Sequence, residues 1–200
     1  MRPQSSPYKG LSPKRWARVT RGLIAEHPLD PQEAVQVVLK AWDDIFSSAI
    51  GTKPFKIGKD LFPKPQIMAF FLHEMIPLEL ATRHPEFWRG DKEAGEKDLV
   101  YIPDAAFSVE IKTSSHPSQI FGNRSYAQRP SAAKKSKSGY CLAVNFEKFE
   151  ASAQQPPITR IRFGWLDHED WMGQQAPTGQ QARLSSDVES YKLVQLYPGK

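Results

Sequence analysis

Asp98, Glu110 and Lys112 are charged residues in two segments whose other residues are largely apolar, Asp98–Ile102 and Phe107–Thr113. Side chains alternate between the two faces of a strand, so Glu110 and Lys112 share one face of the second segment, and its apolar residues take the other. Two neighbouring carboxylates could bind Mg²⁺, a hard cation that prefers oxygen ligands. Such an ion polarises a phosphodiester and lowers the pKa of a bound water. The adjacent lysine would position that water or stabilise developing negative charge.

The second carboxylate of such a site is either Asp98 or Asp104. Asp104 precedes Glu110 along the turn and one strand, and at roughly 3.3 Å per residue it would lie about 20 Å away if that stretch is extended. Asp98 lies on the preceding strand, which an antiparallel turn brings back beside Glu110. A three-residue loop puts Asp98 opposite Glu110 and a five-residue loop puts it opposite Lys112, whereas a four-residue loop turns it to the wrong face. We therefore predict Asp98 as the ligand and Asp104 as a turn former.

Three helical segments precede these strands. Ser12-Pro13 and Asp30-Pro31 each combine a helix-capping side chain with a proline in the first turn, which predicts helices over 13–26 and from 31 to a stop near Gly51. Pro65 begins a third helix at 66–74, and Pro77 is expected to kink or end it before 78–82.

Runs of apolar and β-branched residues bounded by turn residues predict the sheet. The predicted strands are 98–102, 107–113, 139–146, 158–166 and 191–197. Helices followed by strands and loops predict one mixed α/β domain over residues 1–200. Within it we expect a helical part at about 11–90 and a catalytic sheet core at about 96–200.

The distribution of charge points to a polyanionic partner. Net charge is +5, from 27 basic and 22 acidic residues, and acidic residues are missing from 111–146 and from 171–186. A basic, acid-free surface is typical of a protein that faces phosphates, and Arg and Asn read guanine and adenine through paired hydrogen bonds. The residues predicted to contact DNA are Ser114, Ser115, His116, Asn123, Arg124, Ser125, Tyr126, Arg129, Lys134, Lys135, Gln180, Gln181 and Arg183.

These patterns also have structural interpretations. Residues 114–116 could simply terminate a strand, residues 123–126 could form a turn, and Lys134 and Lys135 could be a solvated charge run. The acidic cluster 167–170 resembles a metal site, but Asp167 directly follows a strand. We therefore interpret Asp167 as a helix cap and the other carboxylates as first-turn residues.

Composition excludes several classes of protein. No apolar stretch approaches the roughly 18 residues that span a bilayer, and residues 1–7 lack the apolar core of a secretory signal. Because Cys141 is the one cysteine, the chain forms neither an internal disulfide nor a cysteine-based zinc site. We expect a cytoplasmic protein without a membrane partner.

Asp98, eleven intervening residues and Glu110-Ile111-Lys112 resemble the D…(D/E)-x-K signature of the PD-(D/E)XK nuclease superfamily. Four stretches are similar to type II restriction endonucleases of the ScaI-like group, namely EIKTSSH at 110–116, QIFGNRSY at 119–126, RFGWLDHEDWMG at 162–173 and GQQAR at 179–183. The resemblance covers roughly residues 55–185. Lys97 stands where the name of the superfamily places proline.

The resemblance implies a restriction-endonuclease-like fold, with a mixed central β-sheet flanked by α-helices. It implies a type II restriction endonuclease that makes sequence-specific, Mg²⁺-dependent double-strand cuts in DNA and leaves 5′-phosphate and 3′-hydroxyl ends. In related nucleases an upstream helical glutamate often completes the metal site, which points to Glu74 as a third ligand beside Asp98 and Glu110, with Glu79 as the alternative.

The resemblance also carries expectations about partners. A homodimer is expected, because palindromic targets match two-fold protein symmetry, with the N-terminal helices as a possible dimer contact. A cognate DNA methyltransferase would be the biological partner in a prokaryotic cell. One alternative is a structure-selective repair or junction-resolving nuclease of the same superfamily. Another is a DNA-binding protein without catalysis, against which the intact Asp-Glu-Lys set argues.

Overall fold

The computed structural model describes residues 6–128, 137–149, 155–174 and 179–197. Within them the α-helices are α1 (Pro13–Ala25), α2 (Pro31–Ser47), α3 (Pro65–Arg83) and α4 (Ser186–Tyr191). The strands are β1 (Ala49–Ile50), β2 (Phe55–Lys56), β3 (Trp88–Gly90), β4 (Leu99–Tyr101), β5 (Val109–Ser114), β6 (Phe121–Asn123), β7 (Gly139–Phe146), β8 (Ile158–Leu166), β9 (Met172–Gly173), β10 (Gln181–Arg183) and β11 (Leu193–Tyr197).

Proline in the first turn starts each of the three long helices. This position suits proline because its missing N–H has no helical partner there and its φ angle is already helical. At α2 the Asp30 carboxylate also accepts hydrogen bonds from the N–H groups of Gln32 and Glu33, at 2.8 and 3.0 Å. The predicted starts of α1 and α2 are therefore confirmed.

Six strands form the central sheet, in the order β11-β8-β7-β5-β4-β3. β5 and β7 are parallel, and every other neighbouring pair in this sheet is antiparallel. The sheet is therefore mixed and flanked by helices, which confirms the predicted α/β fold class. A smaller sheet, β6-β10-β9, combines β6, from the segment that joins the parallel pair, with two strands that follow β8.

The central strand β7 is buried along its whole length because both faces of the sheet are covered. We call the side packed by α2 and α3 the helical face. Its core joins Leu142 and Val144 of β7 to Val38 of α2 and to Leu72 of α3.

We call the other side of the sheet the site face. Cys141 and Ala143 of β7 lie there, in a core shared with Ile120, Tyr126, Trp171, Ala182, Leu184, Val188 and Leu193. These residues come largely from the small sheet, from α4 and from the segments next to them. Register then fixes the placement of the charged residues of β5. Glu110 is beside Cys141 and Lys112 is beside Ala143, so both carry their side chains to the site face.

The third helix differs from its prediction. Of the two outcomes expected at Pro77, a kink or an end, the helix does not end there, and α3 continues to Arg83. A proline inside a helix costs about 3 kcal/mol, whereas burying one large apolar side chain stabilises by about 1.5–3 kcal/mol. Because Leu72, Ile76 and Leu80 are all buried, packing against the sheet outweighs the local cost.

Two strand boundaries also differ from the prediction. The second strand of the hairpin begins at Val109 rather than Phe107, because Asp104 caps a 3₁₀ turn at Ala105–Phe107. The last strand begins at Leu193 rather than Tyr191, because α4 comes first, with the Ser185 hydroxyl accepting from the N–H of Val188. In the described part of the chain, no helix is long and apolar enough to cross a membrane.

Candidate active site

Hairpin geometry places the two carboxylates next to each other. The antiparallel pairing of Leu99 with Val109 makes Asp98 the residue opposite Glu110. The connection, residues 102–108, is longer than a tight loop but keeps this facing. Asp104 turns away, with its carboxylate accepting from the N–H of Ala106 at 2.9 Å. The predicted facing of Asp98 and the turn-forming position of Asp104 are confirmed.

The Asp98 carboxylate is fixed by its neighbour strand and remains accessible. Its Oδ2 accepts a hydrogen bond from the N–H of Ile111 at 2.7 Å, and the side chain is 23% exposed. His73 of α3 approaches the same oxygen, with Nδ1 at 3.7 Å. Burial lowers the pKa of His73, although the Asp98 charge acts in the opposite direction.

Glu110 is buried and surrounded by donors. Lys112 Nζ lies 2.7 Å from Oε1, and the hydroxyl of Tyr126 donates to that same oxygen. Lys97 Nζ lies 3.3 Å from Oε2. Burial by itself would lower the pKa of Lys112, but the charges of Glu110 and Asp98 raise it above its ordinary value. Lys112 is therefore a cation whose charge is stabilised by the acids around it.

The oxygen atoms around Lys112 are of the kind that a divalent cation binds. The ammonium group contacts both Glu110 Oε1 and the carbonyl oxygen of Ile111, the latter at 3.3 Å. A hard cation takes such oxygen ligands and completes its shell with water. Over residues 6–128, 137–149, 155–174 and 179–197, no group of three His, Cys, Asp or Glu side chains is arranged to hold a metal. A metal site here would therefore draw on two carboxylates, the carbonyl of Ile111 and solvent.

The helix α3 presents His73 to this site, next to the predicted ligand Glu74. Consecutive helical residues point about 100° apart, and Glu74 is exposed while His73 is half-buried against Asp98. The role of Glu74 as a third ligand stays a prediction. His73 was missed because a lone histidine without a partner at ligand spacing gives no sequence signal.

Lys97 is a second lysine at the site, and it occupies the position at which the superfamily signature has proline. Gly139 makes room for it, since a Cβ there would lie 3.3 Å from Lys97 Cε. Gly139 also has φ +146°, a conformation that other residues rarely adopt. The sequence showed the departure at Lys97 but gave no sign that the side chain would reach Glu110.

The predicted DNA contacts beyond residue 116 fall into three groups. Asn123, Arg124 and Ser125 are exposed, and β6 pairs with β10 through Asn123 and Gln181, so the two predicted recognition loops form one small sheet. The exposed predicted contacts on this sheet and next to it are Asn123, Arg124, Ser125, Gln180, Gln181 and Arg183. Tyr126 is buried instead, at 6% exposure. Arg129, Lys134 and Lys135 lie outside the described residues.

The segment after β5 is structured by its own side chains. Ser114 is buried and its hydroxyl accepts from the N–H of His116 at 3.0 Å, while His116 Nδ1 accepts from the N–H groups of Ser118 and Gln119. Ser115 is half-buried and His116 is exposed. DNA contact by Ser114, Ser115 and His116 stays a prediction.

A buried polar network is hydrogen-bonded to the backbone of residues 116–120. Asn145 Nδ2 donates to the carbonyls of His116 and Gln119, at 2.8 and 3.0 Å. Arg162 donates to Asn145 Oδ1 at 2.9 Å and to Glu189, whose other oxygen accepts from the N–H of Ile120. These bonds stabilise the segment, although Arg162 Nε is buried without a hydrogen-bond partner among the described residues. Sequence reasoning missed this network because its members are far apart in the chain.

The acidic cluster 167–170 is structural, as interpreted from the sequence. Asp167 and Asp170 form a reciprocal cap, and Lys192 Nζ lies 2.7 Å from an oxygen of each. Lys192 is itself buried beneath the rings of Tyr8 and Trp16, 4.2 and 4.6 Å from their centroids. Burial raises the pKa of Asp170 despite its bonds to Lys192.

Comparison with known proteins gives two matches. A family model described as ScaI restriction endonuclease matches residues 6–197. The chain is also 48% identical over 203 residues to a protein of Streptomyces caespitosus named type II restriction enzyme ScaI, and the match covers 100% of this chain and 88% of that protein.

Proposed function

The chain belongs to the ScaI restriction endonuclease family and is a type II restriction endonuclease, and we propose that it hydrolyses DNA at Asp98, Glu110 and Lys112 with Mg²⁺. Enzymes of this type generally use divalent metal ions. The observation that supports the site is the hairpin. It places Asp98 opposite Glu110 and leaves Lys112 on the same face of β5, in contact with Glu110.

Each residue of the proposed site has a distinct part. Asp98 and Glu110 would hold Mg²⁺ together with the carbonyl of Ile111. When bound, the ion supplies polarisation of the scissile phosphate and a water of lowered pKa. Lys112, a buried ammonium, stabilises negative charge that develops on the phosphate. The N–H of Ile111 orients Asp98 through its 2.7 Å hydrogen bond, so the carboxylate is positioned before substrate arrives.

The exposed side chains of the small sheet are the proposed recognition surface. Arg124 and Asn123 have the donors and acceptors that read base edges, and Gln181 pairs beside Asn123 on the neighbouring strand. Because β6 and β10 form one sheet, the two predicted recognition loops would approach the same stretch of DNA. Sequence-specific double-strand cutting is the outcome that we propose for this arrangement.

We also propose a homodimer and a cognate methyltransferase. Two copies related by two-fold symmetry would place one site on each strand of a palindromic target. The helix α3 supports a contact between copies, because Ile67, Phe70 and Leu78 remain about half exposed, at 49%, 57% and 59%. A methyltransferase that modifies the same sequence would protect the host DNA.

Digestion of a fully sequenced plasmid tests the function. With Mg²⁺ present, we expect cuts at one repeated sequence and 5′-phosphate ends, and Asp98→Asn is expected to lower the cleavage rate about 10³-fold. Asn can still accept from the N–H of Ile111, so this variant should remain folded. Asp104→Asn is the matched control and should cut like the wild type. Wild-type cutting by Asp98→Asn would overturn the site. Cuts only at junctions or damaged DNA would overturn the proposed sequence specificity.

A further inference from the structure

One side chain connects the small sheet to Glu110. Tyr126 belongs to the 3₁₀ turn Arg124–Ala127 that directly follows β6. Its hydroxyl crosses to the site face of β5 and donates to Glu110 Oε1. The residues immediately before it, Arg124 and Ser125, are exposed. A single short turn therefore carries surface side chains and a buried contact with the proposed metal ligand.

The Tyr126 ring is held tightly by its surroundings. Trp171 contacts it edge to face with ring centroids 5.0 Å apart. A Cβ on Gly122 would lie only 3.0 Å from Tyr126 Cγ. The ammonium groups of Lys112 and Lys137 lie 4.8 and 4.0 Å from the ring centroid. With so little space around the ring, its hydroxyl shifts only when the turn or the small sheet shifts.

The turn is bonded to the second recognition strand as well. The N–H of Arg124 donates to the carbonyl of Gln180 at 2.8 Å, and Arg124 Nη1 donates to the carbonyl of Gly179 at 3.2 Å. Residues 121–123 pair with residues 181–183. The exposed side chains of both strands and the buried Tyr126 hydroxyl are thus parts of one hydrogen-bonded unit.

The Tyr126 hydroxyl would compete with a metal ion that binds Glu110 at Oε1. A carboxylate oxygen has about two acceptor positions. At Glu110 Oε1 one is taken by Lys112 Nζ and the other by the Tyr126 hydroxyl. A cation that binds at Oε1 must therefore displace one of these donors. Lys112 is on the same strand as Glu110, whereas Tyr126 is on the small sheet, the part that would meet DNA.

We propose that Tyr126 is a positioning residue that couples DNA recognition to metal binding: its hydroxyl occupies Glu110 in the free enzyme and leaves when the small sheet engages DNA. This inference rests on the proposed metal site at Asp98 and Glu110. It assigns Tyr126 a contact inside the protein as its main role. It also gives the enzyme a means of delaying metal binding until the correct sequence is held.

The test is Mn²⁺ binding to the DNA-free enzyme, followed by electron paramagnetic resonance of the unbound ion. Tyr126→Phe keeps the ring against Trp171 and removes only the hydroxyl. We expect this variant to bind Mn²⁺ about tenfold more tightly than the wild type, because it lacks one charge-assisted hydrogen bond to Glu110. If the hydroxyl merely supported Glu110, the variant would bind Mn²⁺ more weakly. Unchanged or weaker binding therefore overturns the coupling.

Tyr140→Phe is the matched control, since Tyr140 is also buried but has its hydroxyl 3.5 Å from the carbonyl of Leu23, away from the site. Its Mn²⁺ affinity should equal that of the wild type. Asp98→Ala distinguishes a failure of the proposed metal site from a failure of the coupling. If it leaves Mn²⁺ binding intact, the proposed metal site fails and the coupling fails with it. If it abolishes binding while Tyr126→Phe has no effect, only the coupling fails.

Cleavage selectivity gives a second readout. The sequence that the wild type cuts, mapped on the plasmid, is compared with duplexes that differ from it at one base pair. The ratio of the cleavage rate on the wild-type target to the rate on the altered duplex is expected to fall about tenfold in Tyr126→Phe. The reason is that metal binding in this variant no longer depends on the small sheet engaging DNA. An unchanged ratio together with tighter Mn²⁺ binding would overturn the link to recognition.

Discussion

The two faces of the central sheet differ in the ionisation of their buried basic side chains. On the helical face, His27 is enclosed by aromatic rings, and burial lowers its pKa to about 4. On the site face, Lys112 and Lys192 are buried as cations beside carboxylates. The same strands contribute to both faces, so the difference arises from alternation along the chain and from what packs above each face.

The two lysine clusters of the site face differ from each other as well. Lys192 serves two carboxylates, Asp167 and Asp170, whereas Glu110 is served by two lysines and a hydroxyl. In the first cluster the acids outnumber the bases, so the protein needs Lys192 there to remain folded. In the second cluster several donors surround Glu110. One of these donors can leave and a metal cation can take its place. The comparison separates a structural ion cluster from the one that we propose as the active site.

Replacing each buried lysine by methionine gives the largest expected contrast. Lys192→Met leaves two carboxylates without their cation, and we expect the free energy of unfolding to fall by about 3–5 kcal/mol. Lys112→Met leaves Glu110 with Lys97 and Tyr126, so stability should change far less while cleavage is lost. Urea denaturation and plasmid digestion measure the two effects. Equal losses of stability would erase the distinction between the clusters.

We expect His27, on the helical face, to make the free energy of unfolding depend on pH. The folded pKa of His27, about 4, lies below its ordinary value of 6.5, so above pH 6.5 the ring is neutral in both states. Between pH 6.5 and 4 the unfolded chain takes up a proton that the folded protein does not, and the free energy of unfolding should fall by about 3 kcal/mol. Urea denaturation across this range measures the slope. His27→Gln should lose this part of it, while His84→Gln, altered at the exposed end of α3, should keep it.

The geometry of His27 explains why the proton is excluded. Its Nδ1 accepts from the N–H of Leu29 at 3.0 Å, so Nε2 carries the hydrogen that is donated to the carbonyl of Phe107 at 2.9 Å. A second proton, on Nδ1, would face another donor. A pH slope that survives in His27→Gln would show that other groups on this face titrate.

Crowding of the site face gives the smallest expected effect. A Cβ at Gly122 would lie 3.0 Å from Tyr126 Cγ and 3.2 Å from Trp171 Cζ3. Gly122→Ala must displace one of these rings, and we expect a loss of about 1–3 kcal/mol in unfolding free energy. Gly95→Ala, which has open space around its Cβ, is the control. Thermal unfolding of both variants checks the result, and equal midpoints would mean that the rings move without cost.

The sequence predicted the parts of the site that depend on local periodicity. The facing of Glu110 and Lys112 follows from the two-residue repeat of a strand, and the placement of Asp98 follows from the parity of one turn. It did not predict that α3 would continue through Pro77, because that depends on burial against the sheet. Nor did it predict the contacts of Lys97 and Tyr126 with Glu110, since each arrives from a separate segment and only the assembled sheet brings them together.

The register of β5 with β7 has a practical consequence for the single thiol. Cys141 lies beside Glu110 in the middle of the sheet, and burial raises its pKa to about 12. Thiolates, not thiols, react with alkylating reagents. Cys141 in the folded enzyme should therefore resist labelling at neutral pH. Once the sheet opens, the thiol becomes reactive. The rate at which a maleimide or iodoacetamide reacts with Cys141 therefore reports how often the central sheet opens.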